Sequence, residues 1–377
     1  MSPYIFLYFI ILLFTLISYD RKISKSIIYF LFLCLFVFSA IRYDIGRDYD
    51  SYLTIFENPD KMQTSEKGFM LFNGLLKNLG FSVQSVIIVF SAITLIFAFL
   101  YIEENSSDKS LSIFIFFTFS PFYLGSLNTI RQALAIYVFL YSVKYIKSRK
   151  FVRYFLHIVA IAFFAHKSAV ILIPLYFVLN HRWNNFFKLS LIIFSILITK
   201  ILDLIIDATP YAIYLLGESG TNFLSPVFLV DFIVCFSIAF FLRKSFVYKE
   251  YYNIAFLSLC VLIMGVLMNG NPVFVLIARI NEYFLASIIV LVPEIIKRFK
   301  SKQIIYSVCI LGFSLIYILS ICINGEANQN TPYKMYFGIY EVNWSTDFIY
   351  VILFTFIAAL LFGYSYTKKD KIAEEVK

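Results

Sequence analysis

The chain has 377 residues, of which 61% are hydrophobic and 15% are charged, and its formal net charge is +9. A mean hydropathy of +0.83 excludes a soluble globular domain, because the apolar runs are too many and too long for one buried core. The five cysteines lie within or at the edges of apolar runs. They show neither a disulfide framework nor a CxxC metal pattern, so we interpret them as small packing residues.

Apolar windows of roughly 20 residues predict an all-α, polytopic integral membrane protein with about 13 transmembrane helices in a single domain, 1–377. The spans 152–165 and 168–180 are short and could form a broken pair. The first span has no basic leader or cleavage site, so no removable signal peptide is expected. The approximate limits are 3–18, 26–41, 83–101, 111–127, 130–146, 152–165, 168–180, 189–206, 225–242, 253–269, 273–296, 303–323 and 347–366.

The basic residues predict the orientation of these spans. If the loop after the first span is cytoplasmic, alternation places 22 of the 32 Lys and Arg residues in cytoplasmic segments. Such a bias follows the positive-inside rule, so we expect the N-terminus outside and the C-terminus in the cytoplasm. It also accounts for most of the positive net charge, and nucleic acid binding is therefore not expected.

Three outer loops follow from this topology. The longest covers residues 42–82 and contains apolar residues at helical spacing, which predicts an amphipathic helix on the outer membrane surface. Two further outer loops, about 207–224 and 324–346, are rich in Tyr, Asn, Gly and Pro. The apolar residues of the amphipathic helix are Phe69, Phe72, Leu75, Leu76 and Leu79.

A cluster of mixed charge opens the first outer loop. The eleven residues Arg42–Tyr52 include two arginines, three aspartates and a glycine, directly after an apolar run. Charges at a membrane boundary are either topology anchors or parts of a site, and anchors are usually clusters of Lys and Arg alone. We therefore interpret this segment as part of a functional site.

The predicted topology brings outer basic residues from five separate parts of the sequence to one side of the membrane. Outer arginines oppose the positive-inside rule, so we expect them to have anionic partners. The planar guanidinium binds phosphate, and two or three together can hold a diphosphate. Internal pairing with Asp44, Asp48, Asp50 or Glu66 is the alternative. The outer basic residues include Arg42, Arg47, Arg131, Lys167, Arg279 and Lys334.

A polar group begins the span 130–146. Asn128, Arg131 and Gln132 would share one helix face at i, i+3 and i+4. Helix capping by Asn128 is the simpler explanation, but it does not require Arg131 and Gln132 to enter the membrane on the same face. We therefore favour a site here.

Other polar residues are weaker candidates. His166 lies beside Lys167 at an outer turn and is a candidate for proton transfer or hydroxyl binding, although a single histidine is more often structural. Arg279 and Asp231 lie within apolar runs, where an ionisable group is costly and usually functional. Asp231 could also simply pair with an arginine.

These residues, in this order, resemble the EpsG family of membrane proteins, which belongs with the Wzy-like polysaccharide polymerases. Arg47 departs from the pattern, since a small polar residue is expected at that position. The matching pieces are Arg42…Asp44-x-Gly46-x-Asp48-Tyr49-x-x-Tyr52, Glu66-x-Gly68-Phe69, Asn128-x-x-Arg131-Gln132-x-Leu134-Ala135, His166-Lys167-Ser168, Arg279 with Tyr283-Phe284, and Pro332-Tyr333.

The resemblance implies a glycosyltransferase that joins polyprenyl-diphosphate-linked oligosaccharide repeat units on the outer face of a bacterial cytoplasmic membrane. Its site would face the periplasm or the cell exterior. A chain-length regulator and a flippase of the same pathway are possible partners. The product could be capsule, O-antigen or exopolysaccharide.

The candidate residues fit such a reaction. Arginines would hold the diphosphate and stabilise its growing charge, and an acid would accept the proton of the attacking sugar hydroxyl. No cofactor is expected; a divalent cation on Asp44 and Asp48 is possible but less favoured. The candidate catalytic residues are Asp44, Asp48, Glu66 and His166, and the candidate substrate-binding residues are Arg42, Asn128, Arg131, Gln132, Lys167, Arg279 and Tyr333.

Two other functions stay open. A flippase or transporter of the same lipid-linked sugar would suit many spans and a basic cavity, but two related halves and charges near the midplane are then expected. A membrane O-acyltransferase using His166 would need an acyl-CoA path from the cytoplasm, whereas the polar cluster faces away from it.

Overall fold

The computed structural model describes residues 3–19, 23–58, 66–181, 183–207, 226–242, 249–322, 330–331, 333–335 and 338–340. This part of the chain is all-α apart from one short hairpin, as predicted. A 3₁₀ helix, Lys167–Leu172, follows α9. The α-helices are α1 (Pro3–Ile17), α2 (Lys25–Ile41), α3 (Tyr49–Glu57), α4 (Lys67–Asn78), α5 (Val83–Asn105), α6 (Lys109–Thr118), α7 (Tyr123–Asn128), α8 (Ile130–Lys147), α9 (Phe151–Phe164), α10 (Leu175–Asn180), α11 (Asn185–Ile198), α12 (Leu202–Asp207), α13 (Pro226–Phe241), α14 (Lys249–Leu267), α15 (Phe274–Leu285), α16 (Ile288–Ile296) and α17 (Lys302–Cys322).

The burial of the helices separates a centre from a periphery. Helix α6 is buried along its length after its first residue, and α8 is buried on nearly all faces. Peripheral helices instead expose large apolar side chains, such as Phe6, Leu33, Phe186 and Phe240. Apolar surface on this scale is typical of helices whose solvent is hydrocarbon. The apolar helices therefore belong to a membrane protein.

Three helices among the described residues are long and apolar enough to cross a membrane, namely α5, α14 and Lys302–Ile321 of α17. The pair α15 and α16, bent by 52°, counts as a fourth if it is one span. Shorter apolar helices occupy most of the other predicted spans. The predicted total of about 13 spans and the orientation of the termini stay predictions, and the span 347–366 lies outside the described residues.

Several predicted spans are broken in the structure. The run 111–127 divides into α6 and α7, and Pro121 lies in the break. The run 168–180 divides into the 3₁₀ helix and α10, with Pro174 between them. Proline has no backbone N–H and disfavours a helical residue before it, which interrupts both runs.

Polar contacts mark two ends of the helix bundle. At one end α2 and α9 finish where α5 and α8 begin, and the side chain of Gln84 donates to the carbonyl oxygen of Ala40 at 2.6 Å. We call this the motif end. At the other end Lys109 and Lys144 pair with Glu103 and Glu104 at 2.7 and 3.0 Å, and the Lys297 ammonium donates to a nearby carbonyl oxygen. We call this the basic end.

A hairpin contacts the motif end. Its antiparallel strands are β1 (Tyr333–Met335) and β2 (Gly338–Tyr340), and Arg42 forms a β-bridge with Met335. The Tyr43 amide donates to the carbonyl oxygen of Lys334 at 2.9 Å. Most of the predicted loop 324–346, and of 207–224, lies outside the described residues.

A helix also forms where the amphipathic one is predicted. Helix α4 buries Phe69 and exposes Leu75, and Leu79 directly after it is also exposed. Phe72 and Leu76 pack against the core.

Candidate active site at the motif end of the bundle

A buried carboxylate joins three separate motifs. Glu66 precedes α4 and forms an ion pair with the Arg131 guanidinium in the first turn of α8. Its other oxygen, Oε1, accepts the backbone amide of Lys167 at 3.0 Å and lies 3.4 Å from Nδ1 of His166. The Glu66 side chain is only 3% exposed. We call these four residues the Arg131 cluster.

Two motif glycines allow the backbone to approach this closely. A Cβ atom on Gly68 would lie 2.5 Å from the ring of Phe163 and 2.7 Å from its carbonyl oxygen. Gly46 has φ +93°, and a Cβ atom there would lie 2.8 Å from the carbonyl oxygen of Leu127. A side chain at either position would push the charged segments away from α8 and α9.

The electrostatics of the Arg131 cluster keep Glu66 ionised. Burial alone would raise the pKa of Glu66. The contact with His166, the charge of Arg131 and the backbone amide of Lys167 together outweigh burial and lower the pKa of Glu66 to about 2. Glu66 is therefore a carboxylate at neutral pH.

The Arg131 side chain packs against aromatic rings but remains partly exposed. Its guanidinium carbon lies 5.0 Å from the ring centre of Phe69 and 5.9 Å from that of Tyr52, within the range of cation–π attraction. The Arg131 side chain is 21% exposed. Its Nη1 binds Glu66, and its Nε has no hydrogen-bond partner among the described residues, so the guanidinium keeps donors that Glu66 does not use.

Asp48 and Asn128 lie beside the Arg131 cluster. The Asn128 side chain accepts the Asp48 amide at 3.2 Å, and the hydroxyl of Tyr52 donates to Asp48 Oδ2 at 3.4 Å. Burial and the neighbouring carboxylate raise the pKa of Tyr52, so its hydroxyl stays a donor. Tyr52 is the last residue of the first motif but was not among the candidate site residues.

Gln132 connects the site to α15. Its Nε2 donates to the backbone oxygen of Arg279 and to Oε2 of Glu282, both at 2.8 Å. A second link joins Ser168 Oγ to the hydroxyl of Tyr283 at 3.1 Å. Glu282 was also missed in the sequence, although it lies in an apolar helix, which is the signal that selected Arg279.

Two further candidates have partners inside the protein. Arg42 is 1% exposed, and its guanidinium donates to the carbonyl oxygen of Ser39 at 3.0 Å and to Ser91 Oγ at 3.3 Å. Tyr333 is fully buried, and its hydroxyl donates to the carbonyl oxygen of Phe38. The structure thus places both residues in the packing of α2 against α5 and the hairpin.

Asp44 lies apart from the Arg131 cluster. It adopts a left-handed backbone, φ +50°, and its carboxylate pairs with the Lys334 ammonium. Asp44 and Asp48 thus have different partners. Arg47 is exposed. Among the described residues, no group of three or more His, Cys, Asp or Glu side chains is placed to hold a metal ion.

The fold and the site define an α-helical membrane protein with a cluster of charged side chains at one end of its apolar helices. The chain belongs to the EpsG family, which it matches over residues 25–335. That range contains every candidate residue from Arg42 to Tyr333. Membership is consistent with a polymerase of the glycosyltransferase type and with polysaccharide biosynthesis. No curated protein and no solved structure matches the chain.

Proposed function

We propose that the chain is a Wzy-like polysaccharide polymerase of a bacterial cytoplasmic membrane. It would transfer a growing glycan from a polyprenyl diphosphate to the sugar hydroxyl of the next lipid-linked repeat unit. The Arg131 cluster carries this proposal, because residues of three EpsG-like motifs, far apart in the sequence, meet there. A partly exposed arginine on a buried carboxylate is a suitable anchor for an anionic leaving group.

The donor diphosphate would bind to basic residues on α8, α15 and the 3₁₀ helix. Arg131, whose side chain is partly exposed, would offer the donors that Glu66 does not use, and Lys167 begins the 3₁₀ helix next to it. Arg279 would also contribute, because its backbone oxygen accepts a hydrogen bond from Gln132, the residue after Arg131. These charges would stabilise the diphosphate as the glycosidic C–O bond breaks.

The other candidates receive narrower roles in this proposal. Glu66, a carboxylate with a pKa of about 2, is a weak base, so it would position Arg131 rather than accept a proton. Asp48, Asn128 and His166 would bind hydroxyls of the acceptor sugar beside it. Arg42 and Tyr333 would hold α2 and the hairpin in place behind the site.

The position of the basic residues supports an outward-facing site. Lys109, Lys144 and Lys297 lie at the basic end, away from the Arg131 cluster. The positive-inside rule assigns such an end to the cytoplasm. The motif end would then face the periplasm or the cell exterior, where the flipped lipid-linked units are found.

We further propose that the reaction needs no metal ion or other cofactor, since arginine and lysine charges would neutralise the diphosphate. The partners would be the lipid-linked donor and acceptor within the bilayer. A flippase and a chain-length regulator would act in the same pathway. Direct nucleic acid binding is not part of this proposal.

Complementation of a deletion strain tests the function. The wild-type chain should restore long polymer, while R131K should leave single repeat units on the cell surface. Lysine can keep the ion pair with Glu66 but lacks the planar fork of donors, so the variant should accumulate normally. R153A is the matched control, because Arg153 is exposed near the start of α9, away from the motif end.

Polymer of normal length in R131K would remove Arg131 from the mechanism. Single units trapped in the cytoplasm of the deletion strain would instead indicate a flippase.

A further inference from the structure

Two acidic side chains within apolar helices have no role in the reaction as proposed so far. Glu282 lies in α15, and Asp231 lies in α13. An ionisable group among membrane-spanning helices is costly and is usually retained for function. Glu282 accepts a hydrogen bond from Gln132, the residue next to Arg131.

Glu282 is oriented but not neutralised. Gln132 fixes its Oε2 at 2.8 Å and at the same time holds the α15 backbone through the Arg279 carbonyl oxygen. Within the described part of the chain, no Lys, Arg or His nitrogen lies within ion-pair distance of the Glu282 carboxylate. Glu66, by contrast, has its oxygens occupied by Arg131 and by the turn at His166.

Asp231 Oδ1 on α13 and the Tyr137 hydroxyl on α8 are also buried and lack hydrogen-bond partners among the described residues. Glu282 differs from both, because its carboxylate is held by a hydrogen bond from the residue that follows Arg131.

We propose that Glu282 is the general base for the acceptor hydroxyl. This inference rests on the proposed polymerase function. The acceptor O–H bond breaks and its proton passes to Glu282, while the oxygen forms a bond to the anomeric carbon of the donor. The C–O bond to the diphosphate breaks at the same time, and the diphosphate leaves with the electron pair.

The position of Gln132 makes the step geometrically reasonable. It follows Arg131 in the first turn of α8, so the base and the diphosphate-binding arginine are attached to consecutive residues. Arg279 lies one helical turn before Glu282 on α15. In this proposal the substrate would lie between the proton acceptor and the basic residues that hold its diphosphate.

The variant E282Q tests this role without removing the hydrogen bond. A glutamine oxygen can still accept from Gln132, so membrane level and thermal unfolding midpoint should match the wild type. Polymerisation of purified lipid-linked repeat units should fall at least about 100-fold, the scale of a lost general base. Binding of polyprenyl diphosphate should change less than about twofold, because the basic residues are intact.

Two further variants, E282D and E104Q, serve as a conservative replacement and as a control. E282D keeps a carboxylate and should recover part of the rate lost in E282Q, whereas a purely structural role would make the shorter side chain the worse variant. E104Q changes an acid at the basic end and should polymerise normally.

The outcomes separate the two proposals. Wild-type polymerisation in E282Q, or loss of diphosphate binding together with polymerisation, would overturn the role of Glu282 as base. If the wild-type chain forms no polymer from lipid-linked units, the proposed function itself fails. Normal wild-type activity, an inactive R131K and a fully active E282Q would reject only the further inference.

Discussion

Arg42 and Arg131 are both arginines of EpsG-like motifs, yet the structure gives them different environments. Arg42 is 1% exposed and donates to Ser39 and Ser91 in the packing of α2 and α5. The Arg131 side chain is 21% exposed, lies over aromatic rings and pairs with a carboxylate. An arginine at the motif end can therefore be enclosed between helices or stay partly exposed, and we use this exposure to separate a packing role from the proposed binding role.

Among the variants that test this comparison, the one that removes the carboxylate positioning Arg131 should have the largest effect. E66Q should lower polymerisation roughly 100-fold, because a small displacement of a charge-stabilising group is enough to slow the reaction on that scale. Polymer length and rate from purified lipid-linked units, normalised to membrane protein level, provide the measurement. Activity within about twofold of the wild type would show that Arg131 needs no carboxylate to position it.

The same variant tests the ionisation of Glu66. The pKa of Glu66 is about 2 in the folded protein, below its ordinary value of 4.5, so its contribution to stability is present above 4.5. That contribution is lost as the pH falls through the window from 4.5 to about 2. The difference in thermal unfolding midpoint between wild type and E66Q should be constant near neutral pH and shrink below 4.5. A difference that grows on acidification would contradict this ionisation.

Gly46 lies four residues after Arg42 and packs against the backbone just before Arg131, so its close approach should matter for stability. G46A should destabilise the protein by about 3 kcal/mol, since alanine is strained at a positive φ and its Cβ meets the backbone before α8. G74A is the matched control, because Gly74 lies in α4 with no atom near its would-be Cβ, so this variant should be neutral or more stable. Thermal unfolding in detergent compares the pair. Equal midpoints for G46A and G74A would show that the close approach at Gly46 is not needed.

Loss of Arg42 should act on stability more than on chemistry. R42A removes two buried hydrogen bonds and leaves a cavity, which should cost about 2 kcal/mol. Polymer formed per folded molecule should stay within about threefold of the wild type, since no substrate contact is lost. A variant with a wild-type unfolding midpoint but no polymer would place Arg42 in substrate binding, as the sequence suggested.

The smallest effect is expected at the pair between Asp44 and Lys334. The two side chains are 42% and 35% exposed, so D44N should change stability by less than about 1 kcal/mol. Asparagine also tolerates the left-handed backbone at this position. Polymerisation near the wild-type level is expected, and a loss above about 100-fold would make Asp44 the base instead.

The all-α character and the family are predicted correctly from the sequence, because apolar length and motif order are properties of the chain itself, whereas the number of spans and their orientation stay predictions. The breaks at Pro121 and Pro174 are not seen by a window that averages hydropathy. The predicted alternation of the spans places Glu66, Arg131 and His166 on the same side of the membrane. It does not predict their direct contacts, because these depend on the close approach of the backbone at Gly68 and Gly46.

Residue roles were harder to predict than residue positions. The burial of Arg42 depends on how α2, α5 and the hairpin pack together, which no local pattern contains. Glu282 has the same sequence signal as Arg279, an ionisable group in an apolar run. Only the contact with Gln132 shows that it lies beside the candidate site.

Binding of polyprenyl diphosphate to the purified protein tests the central claim most directly. The wild type and R153A should bind it with equal affinity, while R131K should bind at least about tenfold more weakly, because the planar fork of donors is lost. Equal affinity of R131K and the wild type would contradict the assignment of the Arg131 cluster as the diphosphate site.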